Sequence, residues 1–241
     1  MKNVELIPFK SPDDLARTAA GAWLDEIESA NKSGGLYCIA LSGGRITQKF
    51  FAETAKQNQT RKVSFEKVHF FWADERCVPP TDPDSNFKLA QDLLFSPLNI
   101  SENQIHRLRG ELPPTEAVKI ANDEIQQIVS EKKNGQPVLD LILLGMGEDG
   151  HVASLFPNAG EKILDATAPF LVIENSPKPP PTRISLSYAN IFAAKKIWVL
   201  ASGAGKEMAL RDSLNFPNKT PLARVIHVHP AVKIFSDISP I

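Results

Sequence analysis

The sequence is poor in several things at once. Its 241 residues include only two cysteines and five histidines, and aromatic residues make up 7%. Cys38 sits inside an apolar run and Cys77 among turn residues. Two such cysteines make no disulfide framework and read as buried or free thiols of a reducing compartment. No apolar run approaches the roughly 18 residues that a membrane span needs. The start, Met1-Lys2-Asn3-Val4-Glu5, carries a carboxylate early and has no apolar signal core, which argues against secretion. Neither charge is in excess: 27 Lys+Arg stand against 28 Asp+Glu, a net charge of −1. That balance speaks against a nucleic-acid or anionic-membrane partner, and leaves room for a small anion held by a few local cations. The Ser42-Gly43-Gly44 turn is neither a G-x-G-x-x-G nor a P-loop, so it adds nothing to a nucleotide reading, and the G-x-S-x-G elbow of serine esterases is absent. No repeat, low-complexity tract or linker divides the chain. Residues 1–241 read as a single cytoplasmic domain of enzyme size, with oligomeric state left open.

What is present is an alternation of strand and helix. Ser11-Pro12-Asp13-Asp14 starts a helix with a capping serine, a proline and two acids. Leu15, Ala19, Trp23 and Ile27 give it one apolar stripe before Gly34-Gly35 ends it. Leu36 to Leu41 is a short buried strand, followed by a helix from about Thr47 to Gln57. Val68 to Trp72 is a strand, Phe87 to Phe95 and Pro113 to Glu131 are helical, and Leu139 to Leu144 is a third strand. Phe170 to Glu174 and Ile197 to Ala201 are further strands, a helix runs to about Leu214, and Val232 to Phe235 is the last strand. The pattern predicts an α/β protein: a Rossmann-like three-layer sandwich whose mostly parallel sheet is flanked by helices on both faces.

Four loops rich in glycine or charge follow directly after predicted strands, at 42–45, 73–76, 145–151 and 202–206. Strand C-termini of a parallel sheet lie on one edge, so these loops converge on one crevice. Ser42-Gly43-Gly44-Arg45 offers backbone amides, a hydroxyl and a cation at a helix start, which suits an anion. Lys206, after Ser202-Gly203-Ala204-Gly205, opposes its own helix dipole unless an anion is bound. Arg76 and Arg183 lie among turn residues and prolines, and guanidinium suits bidentate phosphate recognition. Together Arg45, Arg76, Arg183 and Lys206 imply a phosphorylated ligand.

The central stretch is Gly145-Met146-Gly147-Glu148-Asp149-Gly150-His151, which leads into a short helical pattern. Neutral imidazole is a competent base near pH 7, and a carboxylate can fix its tautomer. Asp74 and Asp149 stand with His151 as the catalytic set, while Asp74, Glu148 and Asp149 all remain open as the group that orients the ring. His69 and His106 are weaker candidates. His227 and His229, at spacing two, lack the further ligands of a zinc site.

These residues resemble a family. Ser42-Gly43-Gly44, then Asp74-Glu75-Arg76-x-Val78-Pro79 with Asp82 and Ser85-Asn86, then Gly145-Met146-Gly147-x-Asp149-Gly150-His151-x-Ala153-Ser154-Leu155-Phe156-Pro157 are similar to the 6-phosphogluconolactonases. Arg183-Ile184 after the proline loop and Gly205-Lys206 also fit, so the resemblance spans roughly residues 11–235. It implies a fold shared with glucosamine-6-phosphate deaminases, and hydrolysis of 6-phospho-D-glucono-1,5-lactone in the oxidative pentose phosphate pathway. It also implies no cofactor and no metal, with His151 as the base and Asp74, Arg76, Arg183 and Lys206 in the substrate site. One departure concerns Ile46-Thr47, where the family commonly has Thr-Pro. Either Thr47 replaces that threonine or the loop holds phosphate through amides and Arg45. A deaminase and a non-catalytic sugar-phosphate sensor are the competing readings.

Overall fold

The computed structural model describes residues 4–238; Met1 to Asn3, part of the stretch read above against a signal core, lie outside them. Strand β1 (Val4–Pro8) leads to helix α1 (Pro12–Ser33). Its ends follow its sequence: Ser11 accepts from the Asp14 N–H, and Gly34 closes the helix with φ of 81°. β2 (Tyr37–Leu41) then runs into α2 (Arg45–Arg61), and β3 (Val68–Trp72) and β4 (Asp74–Arg76) lie on either side of Ala73. The helix expected at 87–95 is α3 (Asn86–Ala90) prolonged by a π-type turn over Gln91–Phe95, with α4 (Ser96–Leu98) behind it. α5 (Pro114–Ile128) turns Ala117, Ala121 and Ile125 inward. A small hairpin, β5 (Lys132–Lys133) and β6 (Gln136–Pro137), precedes β7 (Leu141–Gly145) and α6 (Glu161–Leu164). β8 (Phe170–Ile173), β9 (Arg183–Leu186), α7 (Tyr188–Ala193) and β10 (Ile197–Ala201) come next. α8 (Glu207–Asn215), α9 (Pro221–Val228) and β11 (Val232–Ser236) complete the order.

Six strands form one sheet in the order β1-β11-β10-β7-β2-β3, and every neighbouring pair is parallel. β2 and β10 are buried at all five positions, so side chains of both faces are covered and the layers number three. From β2 the chain goes first to β3 on one side and later to β7 on the other. β2 and β7 therefore flank the point where the strand order reverses, the usual crevice for a ligand in such sheets. Among the described residues no helix is long and apolar enough to cross a membrane.

The structure corrects two expectations. The strand expected at 170–174 ends at Ile173 and does not join the parallel sheet. It forms a separate antiparallel sheet in the order β4-β9-β8. The reason is chain length: a parallel return needs a crossover of about a dozen residues or more, and the proline loop between β8 and β9 is too short. Ala73 stitches the two sheets, its N–H donating to Leu41 O at 2.7 Å and its carbonyl accepting from Leu186 N at 2.7 Å. Secondly, the segment directly after His151 is not helical. Ala153 takes a positive φ of 50°, and the Ser154 N–H and hydroxyl bond to Ser185 and Asp74, which compete with helical bonds.

Candidate active site

The loops after β2, β3, β7 and β10 border one cavity of about 670 Å³. Its position follows from the sheet. β2 and β7 end side by side, and the Ser42 hydroxyl donates to Leu143 O at 2.7 Å, joining the two strand ends. Ser42, Gly43, Gly44 and Arg45 all line the cavity. Gly43 is forced by close approach: a Cβ there would lie 1.8 Å from Asn86 Oδ1. Thr47 is not brought to the site. It is buried, and its hydroxyl donates to Gly43 O at 3.0 Å, so Thr47 serves the helix start and does not line the cavity. At the departure from the family pattern it is therefore Arg45, and not Thr47, that the loop presents to the cavity.

Asp74 and Glu75, read as loop carboxylates, are both buried in β4. Asp74 faces the cavity; its Oδ2 accepts from Ser154 Oγ at 2.6 Å, and Asn86 Nδ2 donates to its carbonyl at 2.9 Å. Glu75 turns away and anchors the start of α3, accepting from Arg76 N, Asn86 N, Phe87 N and Ser85 Oγ at 2.7–3.0 Å. Burial pushes its carboxyl up to about 6 even against those four bonds.

Arg76 and Arg183 were expected in loops but face each other across the β4–β9 pair. Both line the cavity. Arg183 is largely committed to structure: its guanidinium donates to the carbonyls of Lys178, Pro179 and Pro180 at 3.0–3.2 Å, which fixes the proline loop. It also stacks over Phe156, 5.7 Å from the ring centre, and lies 4.0 Å from Asp74. Its position holds up the site more than it presents charge. The proline loop thus carries Lys178 to the cavity, a residue the sequence reading passed over. Its signal was a lone cation between Pro177 and Pro179-Pro180-Pro181, where a rigid backbone presents whatever side chain it carries.

Lys206 closes the ring of cations. Burial lowers its pKa, and Arg45 and Lys178 lower it further. A cation destabilised by burial and by like charges is relieved when an anion enters. Arg45, Lys178 and Lys206 therefore make the part of the cavity most receptive to phosphate.

His151 and Asp149 form the other part. Asp149 Oδ1 lies 2.5 Å from His151 Nδ1 and also accepts the His151 backbone N–H at 3.1 Å. Asp149 itself stands behind the ring while His151 lines the cavity. This geometry selects Asp149 among the three carboxylates left open by the sequence. Burial lowers the His151 pKa below its ordinary 6.5, with Asp149 partly opposing the shift. The imidazole is neutral at pH 7, its lone pair on Nε2 because Nδ1–H points at the carboxylate.

His69, His106 and His229 serve structure. His69 Nδ1 lies 2.8 Å from His106 Nε2, and His106 Nδ1 lies 2.7 Å from Glu124 Oε1, which clamps β3 to α5. His229 has both ring nitrogens engaged, by Ala194 O and Ala231 N. Burial holds His69, His151 and His229 below their ordinary value. The unfolded chain then binds protons more readily near and below pH 6.5, so stability present above that value is lost as pH falls. Glu75 acts oppositely, but only between its ordinary 4.5 and about 6. Thermal unfolding is therefore expected at a lower midpoint at about pH 6 than at about pH 7.5. A midpoint that stays level or rises on acidification contradicts it.

Comparison with known proteins identifies the family. The family model for glucosamine-6-phosphate isomerases/6-phosphogluconolactonase matches residues 10–234. The chain is 36% identical over 220 residues to a probable 6-phosphogluconolactonase 1 of Arabidopsis thaliana, across 87% of this chain and 81% of that protein. It is 34% identical over 203 residues to the 6-phosphogluconolactonase of Treponema pallidum, across 84% and 83%. The solved structure of 6-phosphogluconolactonase from Trypanosoma brucei matches with a TM-score of 0.86 at 26% identity, over 98% of this chain and 97% of that one. By the extent of these matches the chain belongs to the glucosamine-6-phosphate isomerase/6-phosphogluconolactonase family.

Proposed function

We propose that this protein hydrolyses 6-phospho-D-glucono-1,5-lactone to 6-phospho-D-gluconate, a step of the oxidative pentose phosphate pathway in the cytoplasm, with His151 activating water. The relatives that bear the name 6-phosphogluconolactonase support a lactone-hydrolysing enzyme. The observation that carries the reading is the 2.5 Å contact of His151 with Asp149 in a cavity that also holds Arg45, Lys178 and Lys206. The cations suit a phosphate remote from the reacting carbon, and that anchor holds the ring in place for attack.

The chemistry asks little more of the chain. His151 Nε2 takes a proton from water as its oxygen bonds to the lactone carbonyl carbon. The tetrahedral oxyanion meets backbone amides of the glycine loops or a nearby cation. Collapse then breaks the bond from that carbon to the ring oxygen, which takes the proton back from the imidazolium. Asp149 holds the tautomer throughout and stabilises the transient charge. A lactone carbonyl is reactive enough that no covalent nucleophile is required. Ser42 and Ser202, each in a glycine turn at this edge, already donate their hydroxyls to Leu143 O and Asp237 Oδ2.

The assay is opening of freshly prepared lactone, measured above its spontaneous rate, beside ammonia release from glucosamine 6-phosphate. Accelerated opening without ammonia is expected. Ammonia release without lactone opening would move the chain to the deaminases, and binding of both sugars with neither reaction would make it a sensor.

A further inference from the structure

We propose that Ser154 is a positioning residue for Asp74, holding that carboxylate apart from Arg183 so that it faces the cavity. This rests on the reading above that Asp74 belongs to the substrate site. Ser154 is completely buried and does not line the cavity, so its hydroxyl has no access to a carbonyl carbon. It stands between two charges of opposite sign. Its Oγ donates to Asp74 Oδ2 at 2.6 Å and accepts from Arg183 NH1 at 3.4 Å, while the guanidinium and the carboxylate are 4.0 Å apart. The Ser154 N–H donates to Ser185 Oγ at 3.2 Å, and Ser185 is the strand partner of Asp74. One buried serine thus joins the segment just after His151 to both β4 and β9.

The arrangement has a consequence for charge. An arginine and a carboxylate that meet directly in a buried place form a short, strongly held pair. The Ser154 hydroxyl prevents this by satisfying the near oxygen of Asp74 itself. The far oxygen receives only Asn86 Nδ2 at 3.4 Å and remains available to a ligand. Without the hydroxyl, Asp74 Oδ2 is left buried with no donor, and the carboxylate swings towards Arg183 and away from the substrate.

The test is a double-mutant cycle on kcat and KM for lactone opening, with thermal unfolding measured for every variant. Ser154→Cys replaces a single atom and loses the strong donor, Ser154→Thr keeps the hydroxyl, and Asp74→Asn removes the charge. Ser154→Cys is expected to lower kcat/KM by about 10- to 100-fold, as a small displacement of a site group would, in a variant that still folds with an unfolding midpoint only several degrees lower. Ser154→Thr should recover most of that loss. The double variant Ser154→Cys/Asp74→Asn should be no slower than Asp74→Asn alone, because both changes act on one interaction. Wild-type kinetics in Ser154→Cys, or losses that multiply in the double variant, would overturn the proposal. Wild-type kinetics in Asp74→Asn would instead remove Asp74 from the site, and the role of Ser154 with it.

Discussion

His151→Ala is expected to lower the enzymatic rate of lactone opening by about 10²- to 10⁴-fold, the usual contribution of a positioned general base. Binding of 6-phosphogluconate should change little. The reason lies in the division of the cavity. The imidazole and Asp149 stand at the end of β7, whereas Arg45, Lys178 and Lys206 come from three other segments and do not touch His151 through any hydrogen bond. In the proposed mechanism, removing the ring deletes the proton acceptor and leaves the cations of the cavity in place. The kinetic signature is a fall in kcat with KM nearly constant, that of a group acting in the transition state. A variant that binds the product poorly and keeps its turnover would reverse the two halves of the site.

Gly147→Ala should be almost as damaging, although it adds a single methyl group. A Cβ at this position would lie 2.0 Å from His151 Nδ1, 2.1 Å from its Cε1 and 2.8 Å from Asp149 Oδ1. No rotation of the alanine relieves such overlap, since the methyl carbon is fixed to the backbone. The ring must move out of the 2.5 Å contact with Asp149. A displacement of about 1 Å in a reacting group costs on the order of 10²-fold in rate. Turnover is therefore expected to fall by about that factor, while overpacking costs only about 1–3 kcal/mol of stability. Near-normal turnover in a folded Gly147→Ala variant would show that the His151–Asp149 contact is dispensable.

Much of the site was legible because each loop follows a buried apolar strand. Leu36 to Leu41 and Leu139 to Leu144 mark central strands by composition alone, and parallel strands deliver their C-terminal loops to one edge. His151 and Asp149 are close in sequence, so their contact is local. What stayed hidden depends on distant segments. Glu75 looks like any loop carboxylate until Ser85, Asn86 and Phe87 fold over it. Asp74 acquires Ser154 from 80 residues away through the antiparallel sheet, which no helix–strand alternation announces. Thr47 seemed suited to phosphate by its place in the chain, yet a hydroxyl in the first turn of a helix finds the Gly43 carbonyl one turn back. β1 and α9 also escaped notice. β1 is an edge strand without a clean alternation of buried and exposed positions, and α9 is short and almost wholly apolar on its buried side.

The central claim is that neutral His151, oriented by Asp149, takes the proton from water. The most direct test is the pH dependence of kcat/KM for lactone opening, with the spontaneous rate subtracted at each pH. A base must be deprotonated to act, and burial holds His151 below 6.5. The account predicts a rate that is level near neutrality and falls about tenfold per pH unit on an acid limb whose midpoint lies below 6.5, a limb lost in His151→Ala. An acid limb that persists unchanged in His151→Ala, or a midpoint well above 6.5, would contradict it.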